Sequence, residues 1–167
     1  MEQMKMDQMK MDQMEPDRTE PTGNRTGNKG RFLALSRICL NNWHYISKRI
    51  LSFNEDINFF TGHSGSGKST VIDAMQVLLY ANTDGRGFFN KAAADDSDRS
   101  LIEYLRGMVN IGENNEFSYL RNQNFSSTIV LELKRSDTGA CQCVGIVFDV
   151  ETSANDISRR FFWHKGP

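Results

Sequence analysis

The spacing of apolar and polar residues predicts β-strands from Arg31 onward. Residues 31–40 and 45–53 carry apolar side chains at the intervals of strands, and asparagines at positions 41, 42 and 54 interrupt them. A short apolar run at residues 56–61 predicts a further strand that leads directly into a glycine-rich segment. This part of the chain is therefore expected to be a small set of strands.

Residues 68–80 are predicted to form a helix that begins at the end of the glycine-rich segment. Four apolar side chains recur on one side of this helix: Val71, Met75, Leu78 and Leu79. A second helix is predicted over residues 99–106 and irregular structure over residues 81–98, whereas residues 108–126 are rich in Asn and Gly. The order strand, glycine-rich loop and helix is typical of a phosphate-binding loop.

The last third of the chain predicts an antiparallel hairpin. Residues 128–134 and 143–149 have the composition of strands, and residues 136–139, Ser-Asp-Thr-Gly, are a turn signal between them. A third strand is predicted near residues 160–163, Arg-Phe-Phe-Trp. Together these elements predict an α/β fold with an antiparallel β subdomain.

The first part of the chain is not expected to join this fold. Residues 1–14 repeat a five-residue unit, Gln-Met-Lys-Met-Asp, and a period of five does not place the methionines on one helical face. Residues 15–30 contain the prolines and glycines of a linker. The sequence therefore predicts a disordered tail and linker at residues 1–30 and one domain at residues 31–167. The tail is interpreted either as an interaction segment or as a tandem repeat without a role.

The composition narrows the class of protein. The chain has 167 residues and a net charge of -1, which fits one domain without an overall basic field for nucleic acid. Its three cysteines lack a CxxC spacing, which predicts reduced thiols and a cytoplasmic protein. Cys141 and Cys143 are interpreted as packing residues rather than half of a metal site. No apolar run reaches the roughly 18 residues of a membrane span, so a soluble protein is expected.

Residues 62–69, Gly-His-Ser-Gly-Ser-Gly-Lys-Ser, match the Walker A pattern Gly-x-x-x-x-Gly-Lys-Ser. Glycines allow successive backbone N–H groups to turn inward around phosphate oxygens, and the N-terminus of a helix adds a favourable dipole. In this pattern Lys68 reaches the β- and γ-phosphates, Ser69 coordinates Mg²⁺ and Thr70 bonds the α-phosphate. The predicted ligand is ATP with Mg²⁺, and the predicted binding residues are Gly62, His63, Ser64, Gly65, Ser66, Gly67, Lys68, Ser69 and Thr70.

Hydrolysis would need a carboxylate after a hydrophobic strand, to hold Mg²⁺ and orient water. Asp149 follows Val-Gly-Ile-Val-Phe and has this form, but a hairpin turn precedes its strand, whereas a Walker B strand lies parallel to the P-loop strand. Two interpretations of Asp149 stay open: a Mg²⁺ carboxylate, or an exposed residue of an edge strand. The catalytic residues are therefore left unassigned.

Residues 31–70 combine strand, Asn-Asn-Trp, two strands and then Gly-His-Ser-Gly-Ser-Gly-Lys-Ser-Thr. This order resembles the N-terminal half of the ATPase head of SMC-like proteins, a group that includes SMC, MukB and SbcC. Residues 86–107 are similar to the ATP-binding, SMC-like subunit of the Wadjet plasmid-defence complexes, the JetC type. The sequence has no signature motif, Walker B or heptad coiled coil that can be placed. The resemblance therefore implies an incomplete P-loop NTPase, namely the N-terminal lobe of an ABC/SMC-like head.

The resemblance also implies partners and a location. In this family ATP is clamped between two heads, and cycles of engagement drive the extrusion of DNA loops. The implied partners are ATP, a C-terminal head lobe, a second head, DNA and other subunits, and the implied location is the cytoplasm, in association with the nucleoid. Arg86 or Arg99 is implied as the arginine that such heads carry beyond the P-loop helix; solvated or acid-paired arginine is the alternative.

Other candidate contacts rest on residue type. Trp43 or Tyr45 is a candidate for stacking on adenine, with burial against the neighbouring strands as the alternative. The basic pairs at residues 48–49 and 159–160 are candidates for contact with DNA phosphates, with exposed surface charge as the alternative.

Three hypotheses of function remain open at this point. The first is a front fragment of an SMC-like ATPase that holds nucleotide but does not turn it over alone. The second is a complete small P-loop nucleotide or small-molecule kinase that uses Asp149. The third is a remnant that binds a partner or has no chemistry, which would expose apolar surface.

Overall fold

The structure, a computed structural model, describes residues 31–80, 101–110 and 117–166. The predicted tail and linker lie outside these ranges, and so do Arg86 and Arg99. Within the described ranges the chain forms seven strands and two helices. Their bounds are β1 Leu33–Trp43, β2 Ile46–Ser52, α1 Lys68–Leu79, α2 Leu101–Arg106, β3 Met108–Asn110, β4 Phe117–Tyr119, β5 Phe125–Arg135, β6 Cys141–Glu151 and β7 Asp156–Lys165.

The main sheet has five strands in the order β2-β1-β5-β6-β7, and every neighbouring pair is antiparallel. The strands predicted at residues 31–40 and 45–53 are confirmed, and so is the hairpin of β5 and β6. Its turn closes with a 2.9 Å hydrogen bond from the Gly139 amide to the Arg135 carbonyl. The third strand predicted near residue 160 is confirmed as β7. The fold is thus a mostly antiparallel sheet with helices on it, consistent with an α/β domain of the P-loop NTPase type.

One face of the main sheet, the front face, packs against α1. Strand residues alternate between the two faces, and those that point to the front are buried together with one side of the helix. This core contains Ile38, Leu40, Ile129, Leu131, Ile146 and Phe148 from the sheet and Val71, Ala74, Val77 and Leu78 from α1. Neither helix of the described ranges is long and apolar enough to cross a membrane.

The predicted stripe of α1 is partly right. Val71 and Leu78 are buried, but Leu79 is 62% exposed, and Ala74 and Val77 lie on the buried side instead. An apolar residue at a helix end is therefore not always directed to the core.

One prediction of local structure was wrong. Residues 56–61 do not form a strand, and Ile57 and Phe59 are 66% and 73% exposed. A strand needs a neighbour to satisfy its backbone groups, and no strand of the described ranges pairs with this segment. Residues 108–126, for which the sequence shows only an abundance of Asn and Gly, contain the short antiparallel pair β3 and β4.

Candidate functional site

The glycine-rich loop at residues 62–67 curls because three of its glycines have positive φ. The φ angles are 144° at Gly62, 79° at Gly65 and 90° at Gly67. A Cβ at Gly62 would lie 2.7 Å from Ser66 Oγ, so a side chain there would displace that hydroxyl group. The curl is closed by a hydrogen bond of 3.2 Å from the Ser66 amide to the His63 carbonyl. The backbone geometry at these positions therefore favours glycine.

Lys68 lies across this curl. Its Nζ donates to the carbonyl oxygens of Gly62 at 2.7 Å and His63 at 2.8 Å, and to Ser66 Oγ at 3.2 Å. The ammonium group of Lys68 is therefore placed to contact an anion that the loop encloses. The side chain is half-buried, so its charge remains accessible to a ligand.

The N-terminus of α1 follows directly and has no acidic residue in its first turn. Its N-cap is Gly67, which supplies no side-chain cap, and the first helical bond joins the Val71 amide to the Gly67 carbonyl at 3.1 Å. The helix dipole at this end favours a bound anion. The hydroxyl residues Ser69 and Thr70 lie in this first turn, Ser69 half-buried and Thr70 only 6% exposed.

Trp43 connects the sheet to this helix. Its indole Nε1 donates a 2.8 Å hydrogen bond to the carbonyl of Thr70. The ring is fully buried, with its centroid 5.1 Å from that of Tyr104 and 6.4 Å from that of Phe148. Trp43 is therefore not accessible for stacking on adenine, and the alternative of burial is confirmed. Tyr45, the other candidate, is half-buried beside the His44 ring at 5.0 Å.

Asp73 links α1 to α2, and it was not singled out from the sequence. Its carboxylate is buried and accepts a 2.9 Å hydrogen bond from the Tyr104 hydroxyl in α2. Burial, followed by the charge of Asp73, raises the pKa of Tyr104 well above its ordinary value, so the phenol stays protonated and remains a donor. The phosphate loop is thus supported by β1 through Trp43 and by α2 through Tyr104.

Asp149 lies apart from this loop. Phe148 points to the front face, where α1 packs, and its neighbour Asp149 points to the opposite face. There it accepts hydrogen bonds of 2.6 Å from Ser126 Oγ and from Arg160, which together lower the pKa of its carboxyl group. The geometry does not support Asp149 as a Mg²⁺ carboxylate of this loop. The term edge strand was also wrong, because β6 lies between β5 and β7.

The remaining candidates show no common site. Arg160 is paired with Asp149, while Arg159 and Lys48 are exposed on β7 and β2 at opposite edges of the sheet. All three cysteines are free thiols. Within the described ranges, no group of three or more His, Cys, Asp and Glu residues is placed to hold a metal ion.

Arg121 is a structural residue that no pattern in the sequence indicated. Its guanidinium donates to the carbonyls of His44, Leu105 at 2.9 Å and Ile46 at 3.2 Å. Burial lowers its pKa. A single side chain thus joins the turn after Trp43 to the end of α2.

A comparison with known families finds a relationship for part of the chain. A family model described as the P-loop containing region of an AAA domain matches residues 35–96. The matched range includes most of β1, all of β2, the glycine-rich loop and α1. A search of curated proteins found no match to the chain. The match and the fold support a P-loop ATPase domain, whose typical ligand is a nucleotide, in this part of the chain.

Proposed function

We propose that this chain binds ATP with Mg²⁺ through residues 62–70, as the N-terminal portion of an SMC-like ATPase that acts on DNA. The observation that carries the proposal is the loop itself: three glycines with positive φ, Lys68 across the curl, and a helix N-terminus without acidic residues. These features suit a polyphosphate because each of them favours negative charge.

Each residue has a role in this proposal. The curled backbone and Lys68 hold the β- and γ-phosphates, Thr70 bonds the α-phosphate, and Ser69 supplies the hydroxyl for Mg²⁺. His63 and Ser64, both exposed, line the outside of the loop. Bound Mg²⁺ neutralises phosphate charge and polarises the bond to the γ-phosphate.

Hydrolysis is proposed to depend on a second lobe. Asp149, the carboxylate that the sequence offered for this role, points away from α1 and is held by Ser126 and Arg160. In an SMC-like head, the Walker B carboxylates and the signature motif belong to a C-terminal lobe and a second head. We therefore expect the chain to bind nucleotide but not to turn it over alone.

The finer assignment rests on the resemblance of residues 86–107 to the JetC-type subunit of Wadjet complexes. In that proposal the chain acts in anti-plasmid defence or chromosome organisation, in the cytoplasm and near the nucleoid. Its partners would be DNA and other subunits of the complex. Residues 31–167 form the ATP-binding lobe in this scheme, and residues 1–30 form a tail.

The exposed apolar surface favours the hypothesis of a front fragment over that of a complete kinase. Several large apolar side chains in the segment before the loop and along α1 to its C-cap are exposed: Ile57, Phe59, Ile72, Leu79 and Tyr80. A complete small enzyme would cover such residues, whereas a lobe that docks against another lobe leaves them open. A remnant that only binds a partner also explains this surface, but it does not explain the arrangement around Lys68.

The test is nucleotide binding by the full chain, measured by titration calorimetry with ATP and Mg²⁺. Lys68→Ala removes the cation of the loop and is expected to abolish measurable binding while the circular dichroism spectrum stays unchanged. Lys134→Ala, at the exposed end of β5, is the matched control and should bind as the original chain does. Equal ATP affinity of Lys68→Ala and the original chain would contradict the proposal.

A turnover assay separates the hypotheses that share ATP binding. The fragment hypothesis expects no phosphate release by the purified chain. Robust release that disappears in Lys68→Ala would contradict it. Release that also requires a phosphate acceptor would favour the kinase hypothesis instead.

A further inference from the structure

Tyr104 of α2 contacts two polar side chains of α1 that lie on the same side of the helix. Its hydroxyl donates a 2.9 Å hydrogen bond to the carboxylate of Asp73. Thr70 lies three residues before Asp73, and residues three apart in a helix are neighbours on one face. All three side chains are buried. Thr70, Asp73 and Tyr104 therefore form a polar group in the interior, directly behind the first turn of α1.

The direction of the hydrogen bonds in this group follows from its chemistry. An ionised carboxylate only accepts, so the phenol proton of Tyr104 goes to Asp73. Burial raises the pKa of Tyr104 most and the charge of Asp73 adds to this, whereas a hydrogen bond with the Thr70 side chain lowers the pKa. A hydrogen bond lowers the pKa of a phenol when it favours the phenolate. The Thr70 hydroxyl is therefore the donor, and the phenol oxygen of Tyr104 is the acceptor.

This bond occupies the hydrogen atom of the Thr70 hydroxyl. A threonine hydroxyl has a single hydrogen to donate, and its remaining capacity is that of an acceptor. Phosphate oxygens are negatively charged acceptors, so the hydroxyl would have to leave Tyr104 in order to bind one. The hydroxyl of Thr70 is thus committed to the protein interior.

The backbone of Thr70 is held as well. Trp43 Nε1 donates a 2.8 Å hydrogen bond to the Thr70 carbonyl, and the Trp43 ring centroid lies 5.1 Å from that of Tyr104. The two aromatic residues contact each other and fix the main chain and the side chain of the same threonine. The Thr70 amide is different, because the first amides of a helix have no partner within the helix. It precedes the Val71 amide, which makes the first helical bond of α1.

We propose that Tyr104 is a positioning residue of the nucleotide site, which holds the Thr70 hydroxyl inside so that the backbone amide of Thr70 binds the α-phosphate. This inference rests on the proposed function, because it assigns an atom to one contact of the ATP site. Ser69, half-buried in the same turn, supplies the hydroxyl for Mg²⁺. The two adjacent hydroxyl residues therefore have different roles, one toward the ligand and one toward the interior.

The first experiment measures the affinity of the full chain for ATP with Mg²⁺ by titration calorimetry. Thr70→Val removes the hydroxyl, keeps the shape of the side chain and should change the dissociation constant by less than about twofold, because no bond to the ligand is lost. Ser69→Ala is the contrast in the same turn. It should weaken binding by about tenfold or more, because a contact to a charged group is lost.

The second experiment repeats the Thr70 change in a chain that carries Tyr104→Phe. Without the phenol oxygen the Thr70 hydroxyl regains a free hydrogen atom and becomes able to donate to phosphate. In this chain Thr70→Val should weaken ATP binding by about threefold or more, although it has little effect when the phenol is present. A purely structural role of Tyr104 would not change the effect of Thr70→Val on affinity.

The third experiment measures the bond itself without nucleotide, by urea unfolding. Tyr104→Phe and Thr70→Val break the same hydrogen bond, so the unfolding equilibrium constant should rise in the double variant about fivefold less than the product of the two single effects. Thr128→Val is the control, because Thr128 lies on β5 next to Ile129 and points to the face opposite to α1. Its effect and that of Tyr104→Phe should multiply.

The outcomes separate this inference from the proposed function. A loss of ATP affinity in Thr70→Val as large as that in Ser69→Ala would overturn the inference, because the hydroxyl would then contact phosphate. An effect of Thr70→Val on affinity that is equal with and without the phenol, or single effects on unfolding that multiply, would overturn it too. An original chain that binds no ATP contradicts the proposed function instead, and the unfolding measurement then decides whether Tyr104 holds Thr70.

Discussion

Trp43 is the residue through which the sheet holds the phosphate loop. Its hydrogen bond to the Thr70 carbonyl joins β1 to the first turn of α1, and its ring fills the space between Tyr104 and Phe148. We expect Trp43→Phe to lower the free energy of unfolding by about 1–3 kcal/mol, from the smaller ring and the lost bond. We also expect weaker ATP binding, because the first turn of α1 loses its support.

The chain supplies a matched control for this change. Trp163 is 56% exposed on β7, so Trp163→Phe should leave the unfolding free energy of the monomer nearly unchanged. Urea unfolding followed by tryptophan fluorescence measures both variants, since each retains one tryptophan. A loss of stability that is equal in the two variants would contradict the supporting role of Trp43.

Glu132 carries a pH dependence of folding. Its carboxylate accepts a 2.9 Å hydrogen bond from Arg37 Nε and a second bond from Nη2, and these bonds lower its pKa below the ordinary 4.5. A carboxyl group with a lowered pKa in the folded state stabilises the fold above its unfolded pKa. This stabilisation is lost as the pH falls through the folded pKa. We therefore expect Glu132→Gln to be less stable than the original chain at neutral pH.

The difference should shrink in acid, where the original carboxyl group is also protonated. Urea unfolding of both chains at neutral pH and at a pH below the folded pKa of Glu132 would show this. Glu151→Gln, at the exposed end of β6, is the control and should be as stable as the original chain at both pH values. A gap between the Glu132 variant and the original chain that is constant with pH would show that the pair does not act through ionisation.

At the scale of the elements, Arg121 joins parts of the chain that are distant in sequence. It donates to the β1–β2 turn at His44, to β2 at Ile46 and to the end of α2 at Leu105. Arg121→Lys keeps the charge but cannot reach three carbonyls, and we expect it to cost about 1–3 kcal/mol of stability.

Thermal unfolding measures this change against Arg159→Lys, which alters an exposed arginine on β7. The control should melt with the original chain, and the Arg121 variant should melt earlier. Hydrogen exchange would add a local readout, because amides of α2 should lose protection first. An Arg121 variant that melts with the control would mean that the three bonds contribute little.

The elements that the sequence predicted are those with a strong local pattern. Strands β1, β2, β5 and β6 alternate apolar and polar residues, and the turn at residues 136–139 has its own signal, so all were found. The strand expected at residues 56–61 failed because an apolar run does not specify a partner, and the exposed Phe59 shows that none covers it. The short strands β3 and β4 were missed because three residues are too few to show a period.

The candidate site was also predicted only in part. The loop from Gly62 to Thr70 was visible because its chemistry lies in consecutive residues. The supports from Trp43, Asp73 and Arg121 were not visible as such, since each acts on a partner far away in the sequence. For Asp149 the local pattern was misleading. The hydrophobic run followed by Asp suggested a Mg²⁺ site, but side chains alternate along the strand, and Asp149 lies on the face opposite to α1.

At the scale of the whole molecule, the apolar surface beside the loop should govern solubility. Ile57 and Phe59 are exposed, and neither packs in the core. We expect the double variant Ile57→Ser and Phe59→Ser to aggregate more slowly at high concentration, because it removes contiguous apolar surface. Its melting temperature and ATP affinity should stay close to those of the original chain.

Light scattering over time measures aggregation, and Phe60→Ser supplies a contrast in the same segment. Phe60 packs against the core with its ring 6.0 Å from that of Phe53, so its replacement should lower the melting temperature instead. If the double variant aggregates as fast as the original chain, then another surface causes association, and the exposed Phe161 and Trp163 of β7 would be the next residues to change.

The position of β5 at the centre of the sheet also sets an order of events during synthesis. A ribosome that has released residues up to 80 has delivered the whole phosphate loop and α1, but Ile129 and Leu131, on which α1 rests, have not yet been made. Until β5 emerges and pairs with β1, the apolar side of α1 lacks part of the surface against which it packs, and the nascent chain exposes apolar residues to chaperones. The packing that positions the glycine-rich loop is therefore incomplete until β5 has been made.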